Sequence, residues 1–155
     1  MHPLAPEKLT SDIHALFVED DPAPEKKTLE QVRVDAVGDL LGCLVQGDLD
    51  GFLAAMTPDV DCALHTSHSQ DWILQAKGRE AVRAMVIQNF GVMTDQAFET
   101  EGIVAQGDSV VMFGRERGRW KSTGEPYDFS IAYRFTFRGG LVHKISQISA
   151  PTAGS

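Results

Sequence analysis

The sequence predicts an α+β domain, helices first and an antiparallel sheet after them, on three observations. Apolar residues recur at helical spacing over 28–56 and again over 78–91. Over 98–149 they alternate at period two instead, broken by Gly107-Asp108, by residues 122–126 and by Gly139-Gly140. The longest alternation is Tyr127, Phe129, Ile131, Tyr133, Phe135 and Phe137, with Asp128, Ser130, Arg134, Thr136 and Arg138 between them. A strand of that pattern sets one face on a core and the other toward water or a partner. Only Ala132 interrupts its polar face.

Taken in order, residues 1–27 carry Pro3, Pro6, Pro22, Pro24 and the cluster Glu19-Asp20-Asp21 and read as a Pro-rich acidic extension. Within it, residues 9–18 could form a short amphipathic turn isolated by prolines on both sides. The domain opens at Thr28-Leu29-Glu30-Gln31, a capping box in which the Thr28 and Gln31 side chains each satisfy the other's backbone donor. Val32, Ala36, Val37, Leu40, Leu41, Leu44 and Val45 then share one helical face until Gly47 stops the helix. Asp48 caps a second, short helix with Leu49, Phe52, Leu53 and Met56 inward, ended by Pro58.

Val60, Cys62, Leu64 and Thr66 alternate with Asp61, Ala63, His65 and Ser67 as a short strand. A polar loop over 68–77 follows, with Trp72 in it. Gly78 opens a third helix with Val82, Met85, Val86 and Phe90 inward, closed by Gly91. Strands over 98–106, 110–121, 127–138 and 141–149 complete the chain. Gly139-Gly140 supplies the positive φ of a tight hairpin between the last two. The domain thus spans 28–150, and 151–155 is a tail.

At 155 residues the chain can bury a core without disulfides or metal. A net charge of -8 argues against nucleic acid, because phosphate binding needs a basic surface. Cys43 and Cys62 sit inside regular apolar patterns without metal-ligand spacing, which reads as buried thiols in a reducing compartment. With no apolar run of membrane length and no leader-like N-terminus, the expected location is the cytoplasm, with no membrane partner. Nucleophile elbow, phosphate loop, dinucleotide fingerprint and zinc motifs are all missing, so the expectation is chemistry without cofactor or metal.

The strand over 110–121 gives the sharpest inference about a site. Arg115, Arg117 and Arg119 share a face, and three guanidinium groups are almost never buried together. Met112, Gly114, Glu116, Gly118 and Trp120 therefore face inward, where two glycines leave room and a desolvated carboxyl would have a raised pKa suited to a general acid or base. The alternative is that Glu116 pairs with a neighbouring arginine at a strand edge. Tyr133 lies on the aromatic face of its strand with a hydroxyl that needs a partner, either a ligand or the backbone. Trp120 is either a pocket wall or core. His65, His68 and Asp71 form an H-x2-H-x2-D stretch, weak as a metal site because strand-to-loop spacing does not converge three side chains on one point. His65 is also the titratable group nearest the end of its strand, suited to acid/base work if a bulge turns it inward and a surface histidine if not. Arg134, Arg138 and Lys144 share the opposite face of the sheet with Asp128 and Ser130, either as a solvated face or as polar dimer contacts.

Four stretches resemble a known family. They are residues 47–59 (GDLDGFLAAMTPD), 77–82 (KGREAV), 123–127 (TGEPY) and 137–142 (FRGGLV). In order and spacing the region 28–150 is similar to the SnoaL-like and ketosteroid-isomerase-like branch of the nuclear transport factor 2-like superfamily. The resemblance implies a cone, with three helices packed on a curved, mainly antiparallel sheet around a deep apolar pocket, usually in a homodimer formed through the sheet. Carried over by position, the isomerase's oxyanion tyrosine falls on Leu40, its base on Leu64 or His65, and its protonated aspartate on Tyr133. Gln147 is a polar pocket position in the same register. Steroid isomerisation itself is therefore not expected. The expectation is a cofactor-independent isomerase, cyclase or lyase acting on a small apolar carbonyl compound, with Glu116 or His65 moving a proton and Tyr133 steadying an oxyanion. Leu40, Leu64, Trp72, Met112, Trp120, Phe129, Phe135 and Gln147 would line the pocket. A non-catalytic module that binds a hydrophobic ligand or dimerises is the alternative.

Overall fold

A computed structural model describes residues 26–66 and 71–152; the suggested turn at 9–18 and His68 lie outside these. The elements are α1 (Leu29–Gln46), α2 (Leu49–Ala54), β1 (Met56–His65), β2 (Gln75–Lys77), α3 (Arg79–Gly91), β3 (Met93–Gln106), β4 (Ser109–Trp120), β5 (Pro126–Arg138) and β6 (Leu141–Pro151). Six strands form one curved open sheet in the order β2-β1-β6-β5-β4-β3. The β1–β6 pair is parallel and every other pair antiparallel. The three helices pack on its inner face, which is the α+β arrangement expected.

The starts of α1 and α2 follow from their capping residues Thr28 and Asp48, with one change. Thr28 Oγ1 accepts from the Gln31 backbone N–H at 3.1 Å, but Gln31 turns its side chain to Asp35, 3.0 Å away, so only half of the capping box forms. Val37 and Leu40 are the buried residues of α1, whereas Val45 is 75% exposed and Val32 is also exposed. At about 100° per residue the stripe centred on 37, 40, 41 and 44 leaves both valines at its margins. Helix α2 ends at Ala54, two residues short of the sequence reading. Met56 is already strand, in register with Val142, and Pro58, which disfavours helix at Thr57, keeps the helix from running on. The polar loop also contains a strand: β2 pairs its three residues with Asp61, Cys62 and Ala63.

Two hydrophobic clusters result. The larger joins Val37 and Leu40 to Met56, Val60, Val110, Phe135 and Val142. Each such side chain fully buried is worth roughly 1.5–3 kcal/mol. A smaller aromatic cluster holds Trp72, Tyr127, Phe129 and Ile131, with Trp120 packed against it. On the outer face, Arg115 grips Asp128 with two bonds of 2.7 and 2.6 Å, and this fork holds the Asp128 carboxyl down at about 2. The chain stays ordered in the sheet past residue 150: Pro151 pairs with Phe129, and the Thr152 N–H donates to the Asp128 carbonyl at 3.0 Å. Among the described residues, no helix is long and apolar enough to cross a membrane.

Candidate active site

Leu64 and Tyr133 pack against both clusters, and the space between the clusters is a cavity of about 70 Å³. Its walls are largely carbon. Helices contribute Leu41 and Leu44 from α1, Phe52 from α2, and Met85, Val86 and Phe90 from α3, while the sheet contributes Cys62, Leu64, Phe135 and Ile145. Into this apolar setting the fold places three polar groups of the sheet, Glu116, Tyr133 and Gln147, and one of α3, Asn89.

Asn89 is fully engaged. Its amide accepts from the Ile73 N–H at 2.8 Å and donates to the Ile73 carbonyl at 3.0 Å, and Gln88 donates to the Asp71 carbonyl at 3.0 Å. Helix α3 thereby clamps the 71–74 segment, which seats Trp72 in the cavity wall edge-on to Phe129 at 6.4 Å. Glu116 is 2% exposed. Its Oε2 accepts from the Tyr127 hydroxyl at 2.6 Å, and the Gln96 side chain also bonds to it. No cation lines the cavity among the described residues. Burial consequently raises the Glu116 pKa, with the Tyr127 and Gln96 hydrogen bonds opposing the rise. Tyr133 is held as a phenol by burial first and by the nearby Glu116 charge second, so its O–H remains a donor. Gln147 Nε2 donates to that hydroxyl oxygen at 3.1 Å. Burial also pushes the Cys62 thiol up to about 12, which makes it wall and not nucleophile.

The residues singled out from sequence divide into three groups. Glu116, Tyr133, Leu64, Trp72, Phe135 and Gln147 meet at the cavity. Leu40 and Met112 are buried in the larger cluster and do not line it, because Leu41 and Leu44 are the α1 residues turned toward the space. Trp120 and Phe129 stand behind the wall, Trp120 tilted on Tyr127 at 4.9 Å and Phe129 stacked on Tyr127 at 4.8 Å. His65 is exposed and in register with Ile148 on the outer face; no bulge turns it inward, so it is not placed to act here. Nor is a metal cluster formed by His, Cys, Asp and Glu among the described residues.

Sequence reasoning missed Tyr127 as the partner of Glu116. The signal was available in the β4–β5 register, which pairs Gly118 with Tyr127 and Glu116 with Phe129, so the two side chains are diagonal neighbours on one face. The room left by the glycines is also used differently. A Cβ on Gly118 would lie 2.5 Å from the Tyr127 hydroxyl, and one on Gly114 would lie 2.1 Å from the Glu99 carbonyl oxygen. One glycine admits a ring and the other a bulged strand, and neither opens the cavity. Leu44 and Phe90 also line a separate outer groove of about 400 Å³ with Val45, Gln96 and Phe98, and stand between it and the cavity.

Comparison with known proteins agrees with this architecture. The model of the SnoaL-like domain matches residues 37–145. No curated protein matches the sequence. An NTF2-like protein from Burkholderia xenovorans is similar at 25% identity and a TM-score of 0.70, over 80% of this chain and 93% of that one. A candidate SnoaL-like polyketide cyclase from Jannaschia sp. gives 20% identity and 0.70, over 82% and 91%. TerC, co-crystallised with polyporic acid, gives 18% and 0.68, over 77% and 92%. With the family model covering most of the domain, the chain belongs to the SnoaL-like family of the nuclear transport factor 2-like superfamily.

Proposed function

We propose that the cavity binds a small, largely apolar carbonyl compound and that Glu116 transfers a proton to or from it without a cofactor, in an isomerase-, cyclase- or lyase-type reaction. One observation carries this reading: a carboxyl buried in an apolar cavity that no cation lines among the described residues. Such a group moves toward the range in which it can both take and return a proton near neutral pH. Tyr133 donates its O–H to the oxygen on which charge develops. His65 is exposed and is assigned no step. Two free thiols, Cys43 and Cys62, support a reducing compartment such as the cytoplasm. The outer face of the sheet is proposed to pair two copies into a homodimer.

A screen of enolisable ketones and β-hydroxy ketones, followed by proton exchange with solvent, tests the chemistry. Glu116→Gln is expected to lower turnover roughly 10²–10⁴-fold, and Tyr133→Phe roughly 10²-fold. If both variants keep wild-type turnover on a substrate that the screen finds, the enzymatic reading fails. A second reading, a non-catalytic carrier, is favoured by the carbon side chains Leu40 and Leu64 at two of the isomerase's positions. Saturable binding with the ligand recovered unchanged would establish it.

A further inference from the structure

Gln147 is 3% exposed on β6, flanked in register by Leu64 on one side and Tyr133 on the other. Leu64 offers its amide neighbour only carbon. Tyr133 takes the amide N–H, which leaves Oε1 of this cavity-lining residue buried with no hydrogen-bond partner among the described residues. A buried carbonyl left bare costs about 1–3 kcal/mol, and such groups in native proteins usually mark a missing partner. Rotating the amide does not remove the need. In that arrangement Tyr133 would donate to Oε1, and the amide nitrogen would turn two donors toward the same space with no acceptor there. Either way the pair offers at least one donor and one acceptor to an occupant of the cavity: the Tyr133 O–H with Gln147 Oε1, or the Gln147 N–H groups with the Tyr133 oxygen.

We infer that Tyr133 and Gln147 together recognise a neutral group that accepts and donates at once, such as an enolic or phenolic hydroxyl or a cis-amide, and not a lone ketone or ether. The inference rests on the reading of the cavity as a ligand site and narrows the ligand to hydroxyl- or enol-bearing carbonyl compounds. A lone ketone or ether satisfies the donor and leaves the acceptor bare. A carboxylate brings a charge into a cavity whose described lining holds no cation and whose acceptor would repel it. An ammonium leaves the Tyr133 O–H without an acceptor. A hydroxyl satisfies both, and a site built to bond a hydroxyl discriminates strongly against the analogue that lacks it.

Two matched sets of probes test this by calorimetry or ligand-observed NMR: phenol, anisole and cyclohexanone, and 2-naphthol, 2-methoxynaphthalene and 2-tetralone. In at least one set the hydroxyl compound is expected to bind the wild-type protein roughly tenfold or more tightly than its ether and its ketone. In Gln147→Leu that ratio is expected to fall to within about threefold, with the ether bound as before. Equal binding of hydroxyl, ether and ketone by the wild type overturns the inference and leaves the ligand site standing. So does a preference that survives in Gln147→Leu, since the discrimination then arises elsewhere. If none of the six binds the wild type at millimolar concentration, the reading of the cavity as a site for such compounds falls, and the inference with it. Should Gln147→Leu not fold, the wild-type ratios alone decide.

Discussion

Glu116 holds its proton more tightly in the folded chain than in the unfolded one, because its carboxyl is desolvated and the described cavity wall gives it no counter-charge. The sign of the consequence is fixed by linkage. From the ordinary glutamate value of 4.5 up to the raised folded value, the native state carries the extra proton, so its stability falls as pH rises through that window. The slope reaches at most about 1.4 kcal/mol per pH unit. Glu116→Gln cannot titrate and keeps the shape of the side chain. Urea denaturation at a series of pH values is therefore expected to show the variant gaining on the wild type as pH goes from below 4.5 to neutral. A difference between the two proteins that stays constant across that range would mean that burial does not shift Glu116, and would remove the ground for its role as a proton carrier.

The β4–β5 hairpin is the element that presents this carboxyl, and its precision comes from Gly118. Tyr127 lies over that glycine, wedged between Trp120 and Phe129, and from there its hydroxyl reaches Glu116. Gly118→Ala would force the ring outward, with an expected loss of about 1–3 kcal/mol and a lengthened Tyr127–Glu116 bond. Thermal unfolding measures the first and the pH series just described measures the second. Unchanged stability would mean that the ring is not packed as tightly as the geometry has it. The facing of this hairpin was legible in the sequence, because three arginines alternate with Met112, Glu116 and Trp120 and cannot all be buried. So were the helix starts, which rest on local capping chemistry at Thr28 and Asp48. The position of the cavity was not. It depends on which of Leu40 and Leu41 faces the sheet, a turn of about 100°, and on how far Tyr127 fills the space above Gly118. Those are outcomes of long-range packing, which one chain's periodicity does not encode. The three-residue strand β2 was lost for the same reason, since its pairing with β1 and not its own pattern makes it a strand.

At the scale of the whole molecule, the sheet has an outer face that the described residues leave open. One row across it reads Phe113, Ala132, Ile148, and the neighbouring row adds Val104 and Val111. Phe113 is 41% and Ile148 62% exposed, and Val104 is also exposed. The Arg115–Asp128 fork and Arg134 border this apolar band with charges of both signs. A two-fold pairing of identical faces would cover the band and set charges of one copy against opposite charges of the other, which is what a self-complementary interface requires. Light scattering is therefore expected to give twice the 16.9 kDa chain mass for the wild type and a single chain mass for Ile148→Glu or Phe113→Glu. A wild-type mass of one chain at micromolar concentration would sink the homodimer. The same strands that carry this band outward carry Tyr133 and Gln147 inward, since alternate residues of β5 and β6 face opposite sides. A dimer through the sheet would thus hold the register that sets the donor beside the acceptor. Ile148→Glu is then expected to weaken the preference for hydroxyl probes only where it also broadens backbone exchange in β5 and β6, and a monomeric variant with rigid strands and full selectivity would separate assembly from recognition.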